Sequence, residues 1–72
     1  MKILLVKNDG AGFADYKDFE KGTTVNKLFA LEMGDQSISN FMVRVNREEV
    51  AGTYVLEEGD RITITPTNIE GA

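Results

Sequence analysis

The sequence contains no cysteine, no histidine and no tryptophan, and it has a single proline. Without cysteine and histidine the chain has no disulfide framework, no zinc or iron–sulfur site of the usual ligand type, no cysteine nucleophile and no histidine base. Ser37 and Ser39 therefore have no base to activate them as nucleophiles. We expect the protein not to be an enzyme, and its side chains imply no cofactor and no metal.

Long apolar runs and clusters of basic residues are also missing. The apolar run at residues 3–6 is too short for a membrane span or for the core of a signal peptide. Acidic residues outnumber basic ones by 12 to 8, and the net charge is −4. This balance argues against nucleic acid as a partner and favours a basic protein surface. We expect no membrane partner and a cytoplasmic location.

A chain of 72 residues has room for one hydrophobic core. A domain of this size buries only about 60% of the surface that its unfolded chain exposes. We therefore expect a single domain of modest stability, monomeric on its own.

Apolar spacing predicts strands in both halves of the chain. Residues 2–7 are apolar on both faces, which is typical of a central strand, and residues 13–19 predict a second strand antiparallel to the first. Residues 41–45 and 61–65 alternate between apolar and polar side chains, so each predicts a strand with one buried face. Between them, Asn46 begins a turn, and Glu49 begins a short edge strand.

One helix is predicted between the second and third strands. Its apolar face is formed by Val25, Leu28, Phe29 and Met33. Either Thr23 or Thr24 can cap its first turn, and Gly34 stands where a left-handed cap would end it. The helix over residues 24–33 has one apolar stripe, so it must pack across one face of the sheet.

The elements together predict an α+β fold with a mixed four- to five-stranded sheet and one main helix. Val55 and Leu56 are expected to fill the core beneath a loop. The expected core consists of Ile3, Leu5, Val25, Leu28, Phe29, Val43, Val45, Leu56, Ile62 and Ile64. The order of elements resembles the ubiquitin-like β-grasp fold, with the domain at residues 1–66 and a flexible tail at residues 67–72.

The face of the sheet opposite the helix is a candidate partner-binding face. Arginine and methionine are enriched at protein interfaces. The residues expected together on this face are Met42, Arg44, Arg61, Thr63 and Thr65. An ordinary solvated face is the alternative interpretation.

The C-terminal tail is a second candidate site. Pro66 cannot donate to a sheet ladder, so we expect it to end the last strand. Asn68, Ile69 and Glu70 would then form a spacer, and the side chains of Gly71 and Ala72 are only a hydrogen atom and a methyl group. Such a thin end can pass into the narrow active site of another enzyme.

The second half of the chain carries a motif with a family resemblance. It contains Val43-Arg44-Val45-Asn46, then Val50, then Leu56-Glu57-Glu58-Gly59-Asp60, then a strand and the ending Gly71-Ala72. This order resembles the small sulfur carriers, which comprise the small subunit of molybdopterin synthase and the thiamine sulfur carrier. That family ends in Gly-Gly, so Ala72 is a departure. The turn at Gly59 and Asp60 is predicted to be structural, with positive φ at the glycine.

The resemblance implies a function for the tail. Members of that family are adenylated at the terminal carboxylate by a ubiquitin-activating-type enzyme and then carry sulfur as a thiocarboxylate. The implied partners are this adenylating enzyme and a larger synthase subunit. The alternative hypothesis, from a different class, is a β-grasp module that binds a protein through Met42, Arg44 and Arg61 and has an inert tail.

Overall fold

The computed structural model describes residues 1–8 and 12–67. Within these ranges the chain forms one five-stranded sheet and one α-helix, with a short 3-10 turn at Ile38–Asn40. The elements are β1 (Lys2–Lys7), β2 (Phe13–Asp18), α1 (Val25–Met33), β3 (Phe41–Val45), β4 (Glu48–Glu49) and β5 (Arg61–Pro66). Their order across the sheet is β2-β1-β5-β3-β4.

The sheet is mixed, which confirms the predicted α+β architecture. β1 pairs antiparallel with β2 and parallel with β5, and β5 pairs antiparallel with β3. β1 therefore lies inside the sheet, as its two apolar faces predicted. Ile3 and Leu5 are fully buried beneath α1, whereas Leu4 and Val6, which alternate with them, are half-buried on the opposite face.

Hydrogen bonds fix both ends of α1. Of the two candidate caps, Thr24 is the N-cap, and its hydroxyl accepts the Lys27 N–H at 3.2 Å. Gly34 ends the helix with a φ of 66°. The N–H groups of Val25 and Asn26 donate to the carbonyls of Tyr54 and Gly52 at 3.0 and 2.8 Å. The first turn is therefore satisfied by the chain itself, which holds the segment after β4 against the helix.

The core contains nine of the ten residues expected from the sequence, and Met33 joins them. The tenth, Val43, is only half-buried, because it lies beside an open cleft of about 380 Å³ next to β3 and β4. The prediction for Val55 was wrong, since its side chain is 51% exposed. Val55 and Leu56 are neighbours in an extended segment and point to opposite sides, so only Leu56 reaches the core.

Three strand boundaries differ from those predicted. β2 ends at Asp18, one residue before its predicted end. β4 begins at Glu48, one residue early, because Asn46 and Arg47 form a two-residue turn with φ values of 52° and 76°. Such positive angles are typical of the type I′ turn that closes tight hairpins. β5 includes Pro66, which is paired with Phe41. Beyond it, the Thr67 N–H donates to the Asn40 carbonyl at 3.0 Å.

Candidate functional site

The sheet register places the predicted partner-binding residues on one face. Arg44 lies opposite Thr63, and Met42 lies opposite Thr65, in the antiparallel pair of β3 and β5. Arg61 lies on the same face, because it alternates with the buried isoleucines of β5. We call this side of the sheet, turned away from α1, the open face. The binding role of these residues stays a prediction.

β1 and β2 extend the open face with apolar side chains that the sequence analysis did not include. Leu4 lies beside Arg61 and Val6 beside Thr63, in the parallel pair of β1 and β5. On the other side of β1, Tyr16 lies opposite Leu4 and is 59% exposed. The signal that could have found Leu4 and Val6 is the two-faced apolar pattern of β1, since the described part of the chain has one α-helix and it covers only the other face.

The open face changes in character along the strands. Near the start of β5 the face carries charges of both signs, since Arg61 and Lys2 are accompanied by Asp18, which lies opposite Lys2. Near the end of β5, Val6, Met42 and Thr65 make it apolar and weakly polar. The chain leaves β5 at this second end, which we call the apolar end of the open face. A protein docked there would also lie beside the point where the chain leaves the sheet.

Polar residues of the motif in the second half of the chain form one hydrogen-bonded unit, to which Tyr54 also belongs. The Asn46 amide Nδ2 donates to Asp60 Oδ1 at 2.9 Å, and Asn46 Oδ1 accepts the Arg61 N–H at 3.0 Å. Asp60 Oδ2 accepts the Glu57 N–H at 2.8 Å, and the Asp60 side chain is buried. This unit ties the turn between β3 and β4 to the start of β5. We call it the Asp60 cluster, and it comprises Asn46, Tyr54, Glu57, Asp60 and Arg61.

Gly59 precedes this cluster and has the positive φ predicted for it, 88°. Its N–H donates to the Lys2 carbonyl at 2.9 Å, and the Leu4 N–H donates to the Asp60 carbonyl at 3.0 Å. The turn thus joins β5 to β1 at the point where their parallel pairing begins.

Tyr54 completes the Asp60 cluster. Its hydroxyl donates to Asp60 Oδ2 at 3.4 Å. Desolvation by burial raises the pKa of Tyr54, and the negative charges of Asp60 and Glu57 raise it further. The phenol therefore stays a hydrogen-bond donor to a higher pH than an ordinary tyrosine does.

The tail residues of the predicted site, namely Asn68, Ile69, Glu70, Gly71 and Ala72, lie outside the described residues. In residues 1–8 and 12–67, no group of three or more acidic side chains is placed to hold a metal ion. No helix in this part of the chain has the length and apolar character needed to cross a membrane.

A solved structure resembles this fold. It is a ubiquitin-like protein from the hyperthermophilic archaeon Caldiarchaeum subterraneum, with a TM-score of 0.67 and 17% sequence identity. The match covers 96% of this chain and 99% of that one. No protein-family model matches the sequence, and no curated protein matches it either. The protein thus has a ubiquitin-like β-grasp fold, as the order of its elements predicted.

Proposed function

We propose that the protein is a small ubiquitin-like sulfur carrier, whose C-terminal carboxylate is adenylated by a partner enzyme and converted to a thiocarboxylate. The observation that supports this proposal is the Asp60 cluster. Two separated parts of the motif, Asn46 and Asp60, are in direct contact at the start of β5. Motif residues that are distant in the sequence and that carry the resemblance to the sulfur carriers therefore contact each other in the folded chain.

The position of the open face also favours this proposal. β5 runs toward the apolar end of the open face, and the chain leaves the sheet there at Pro66 and Thr67. A partner that covers Val6 and Met42 would lie next to the start of the tail. We expect the partner to present an apolar surface to these residues.

The proposed chemistry takes place on the carboxylate of Ala72. A carboxylate oxygen attacks the α-phosphorus of ATP, pyrophosphate leaves, and an acyl-adenylate forms. Sulfide then attacks the carbonyl carbon and AMP leaves, so one terminal oxygen is replaced by sulfur. The catalytic groups belong to the partner, and this chain is the cosubstrate. A larger synthase subunit would then receive the sulfur.

A protein-interaction module with an inert tail is the second candidate function. The open face favours it, because Leu4, Val6 and Tyr16 add apolar area that the fold itself does not cover. Both candidates use the open face for docking, and only the carrier uses the carboxylate.

The test is intact-mass spectrometry after incubation with the adenylating enzyme, ATP and sulfide. The carrier should gain the mass difference between a sulfur and an oxygen atom. Deletion of Gly71 and Ala72 should abolish this gain, whereas Ala72→Gly should preserve or increase it. If an adenylating enzyme binds the protein and no form gains mass, the carrier proposal is wrong and the interaction module stands.

Two substitutions test the docking face separately. Met42→Asp places a charge at the apolar end and should weaken binding of the adenylating enzyme. Ala30→Asp, on the exposed side of α1, is the matched control and should bind like the wild type. If Met42→Asp bound the adenylating enzyme as tightly as Ala30→Asp and the wild type do, docking would use a different surface.

A further inference from the structure

Among residues 1–8 and 12–67, β2 has a free edge. It pairs there with β1 alone, and all six of its residues are exposed. Met1 and Phe19 exchange hydrogen bonds at the end of this pair, with the Phe19 N–H donating to the Met1 carbonyl at 2.8 Å. Because hydrogen-bonded pairs alternate along an antiparallel ladder, Asp15 and Lys17 face β1 with their backbone groups. Ala14, Tyr16 and Asp18 therefore direct their N–H and C=O groups outward.

We infer that β2 pairs antiparallel with β2 of a second copy of this chain, with Tyr16 opposite Tyr16. This inference is independent of the sulfur-carrier proposal. It also differs from the monomer that we expect from the sequence. The two sheets would join into one, with both helices on the same side.

Charge complementarity selects this register. Only registers that oppose outward-facing residues can form ladder hydrogen bonds. With Tyr16 opposite Tyr16, Asp15 lies opposite Lys17 of the other copy, and the twofold symmetry makes this ion pair twice. A shift by one register in either direction places Asp15 opposite Asp15 or Lys17 opposite Lys17. Like charges directly opposite each other destabilise a strand pair, so both neighbouring registers are disfavoured.

Apolar side chains beside the edge fit the same register. Phe13, which is 42% exposed, would lie opposite Phe19 of the other copy. Phe19 lines a cleft of about 470 Å³ between the end of β2 and α1, together with Leu31, which is 60% exposed. The second copy would therefore cover apolar surface on the helix side and place two tyrosines together on the open face.

In the single chain, a side chain occupies one of the outward N–H groups of β2, and pairing with a second copy can displace it. Asp15 Oδ1 accepts the outward Tyr16 N–H at 2.8 Å. In the pair, a carbonyl of the second copy would accept that N–H, and Asp15 would be released to meet Lys17. Lys17 Nζ already contacts both carboxylate oxygens of Glu32 at 3.0 Å, which holds it at the edge. Charged side chains on an edge strand oppose indiscriminate pairing, so only a complementary edge is accepted.

Sedimentation velocity over a wide range of protein concentration tests the inference. The wild type should show a reversible monomer–dimer equilibrium. Asp15→Lys and Lys17→Asp should each raise the dimer dissociation constant roughly tenfold or more, because each turns two opposite-charge pairs into like-charge pairs. An equimolar mixture of the two single variants should associate again, and the double variant should behave like the wild type. Circular dichroism of each variant verifies that it is folded.

Cysteine cross-linking tests the register, since the chain has no cysteine of its own. Tyr16→Cys should form an interchain disulfide under mild oxidation, because opposed Cα atoms in a hydrogen-bonded pair are about 5.5 Å apart. Ala14→Cys is the matched control and should cross-link much more slowly, because Ala14 would lie opposite Asp18. A wild type that stays monomeric at every concentration would overturn the inference and leave the edge for a strand of a different protein. Association of both single variants that is as strong as that of the wild type would overturn it as well.

Discussion

The apolar core beneath α1 and the Asp60 cluster stabilise the same sheet by different means. In the core, ten apolar side chains with little or no exposure contact one another. In the cluster, one buried carboxylate accepts hydrogen bonds from three donors, of which two are side chains and one is a backbone N–H. The free energy that the core contributes decreases with the volume of any cavity left in it. The contribution of the cluster depends on each buried donor keeping its acceptor. The core attaches the helix to the sheet, and the cluster fixes the turns where β4 and β5 begin.

The largest effect is expected in the core. Leu28→Ala should lower the free energy of unfolding by about 2–5 kcal/mol, because it removes a fully buried side chain and leaves a cavity. Urea denaturation measures this change. Leu31→Ala, three residues further along the same helix and 60% exposed, is the matched control and should alter stability by less than about 0.5 kcal/mol. Similar losses in the two variants would contradict the assigned helix face.

The next effect is expected in the cluster. Asp60→Ala should lower the free energy of unfolding by about 1–3 kcal/mol, because the Asn46 amide and the Glu57 N–H lose their acceptor. Asp35→Ala, at an exposed aspartate after α1, is the control and should have little effect on stability. Amide hydrogen exchange adds a local measurement, since protection of the Arg61 N–H should fall in Asp60→Ala. Unchanged protection of the Arg61 N–H would show that Asp60 does not stabilise the start of β5.

A smaller effect is expected at the turn beside the cluster. Gly59→Val should lower the free energy of unfolding by about 1–2 kcal/mol, because a side chain is strained at positive φ. An added Cβ would meet no atom within 4 Å, so the loss comes from the backbone and not from a clash. Gly59→Asn should therefore lose less than Gly59→Val, because asparagine tolerates this conformation better. Thermal unfolding of both variants measures the difference, and equal losses would show that backbone strain is not the cause.

The smallest effect concerns the pH dependence of the cluster. Burial raises the pKa of Tyr54 above its ordinary value of 10.0, so the folded state holds this proton more tightly than the unfolded state does. The contribution of this proton to the free energy of unfolding is fully present below the unfolded pKa of Tyr54, and it is lost as the pH rises through the folded pKa. Tyr54→Phe should reduce this loss when urea denaturation is followed across the alkaline range. Tyr16→Phe, at an exposed tyrosine, is the control and should keep the pH dependence of the wild type.

Much of the core was predictable because its signal is local. The helix face is spaced by the helical period, and the buried residues of β5 alternate with polar ones, so each pattern can be recognised within about ten residues of sequence. Val43 and Val55 show where this reasoning ends. Both are apolar residues at positions that favour burial. Val43 nevertheless lies beside the cleft next to β3 and β4, and the side chain of Val55 is exposed, and neither outcome is set by local spacing.

The candidate site was less predictable than the core. Met42 and Arg44 could be assigned to one face by alternation along a single strand. Leu4 and Val6 join the same face through the parallel pairing of β1 with β5, which brings together residues almost sixty positions apart. No local pattern contains that information.

Neighbouring residues and their periodicity were enough to predict the elements, the turn glycines, most of the core and a motif that resembles that of the sulfur carriers. Only the folded chain shows that Asn46 contacts Asp60, that the second face of β1 is not covered by α1, and that β2 has an unpaired edge among the described residues. These features depend on which strands become neighbours. Strand order is set by the free energy of the whole sheet and helix, and not by any one segment.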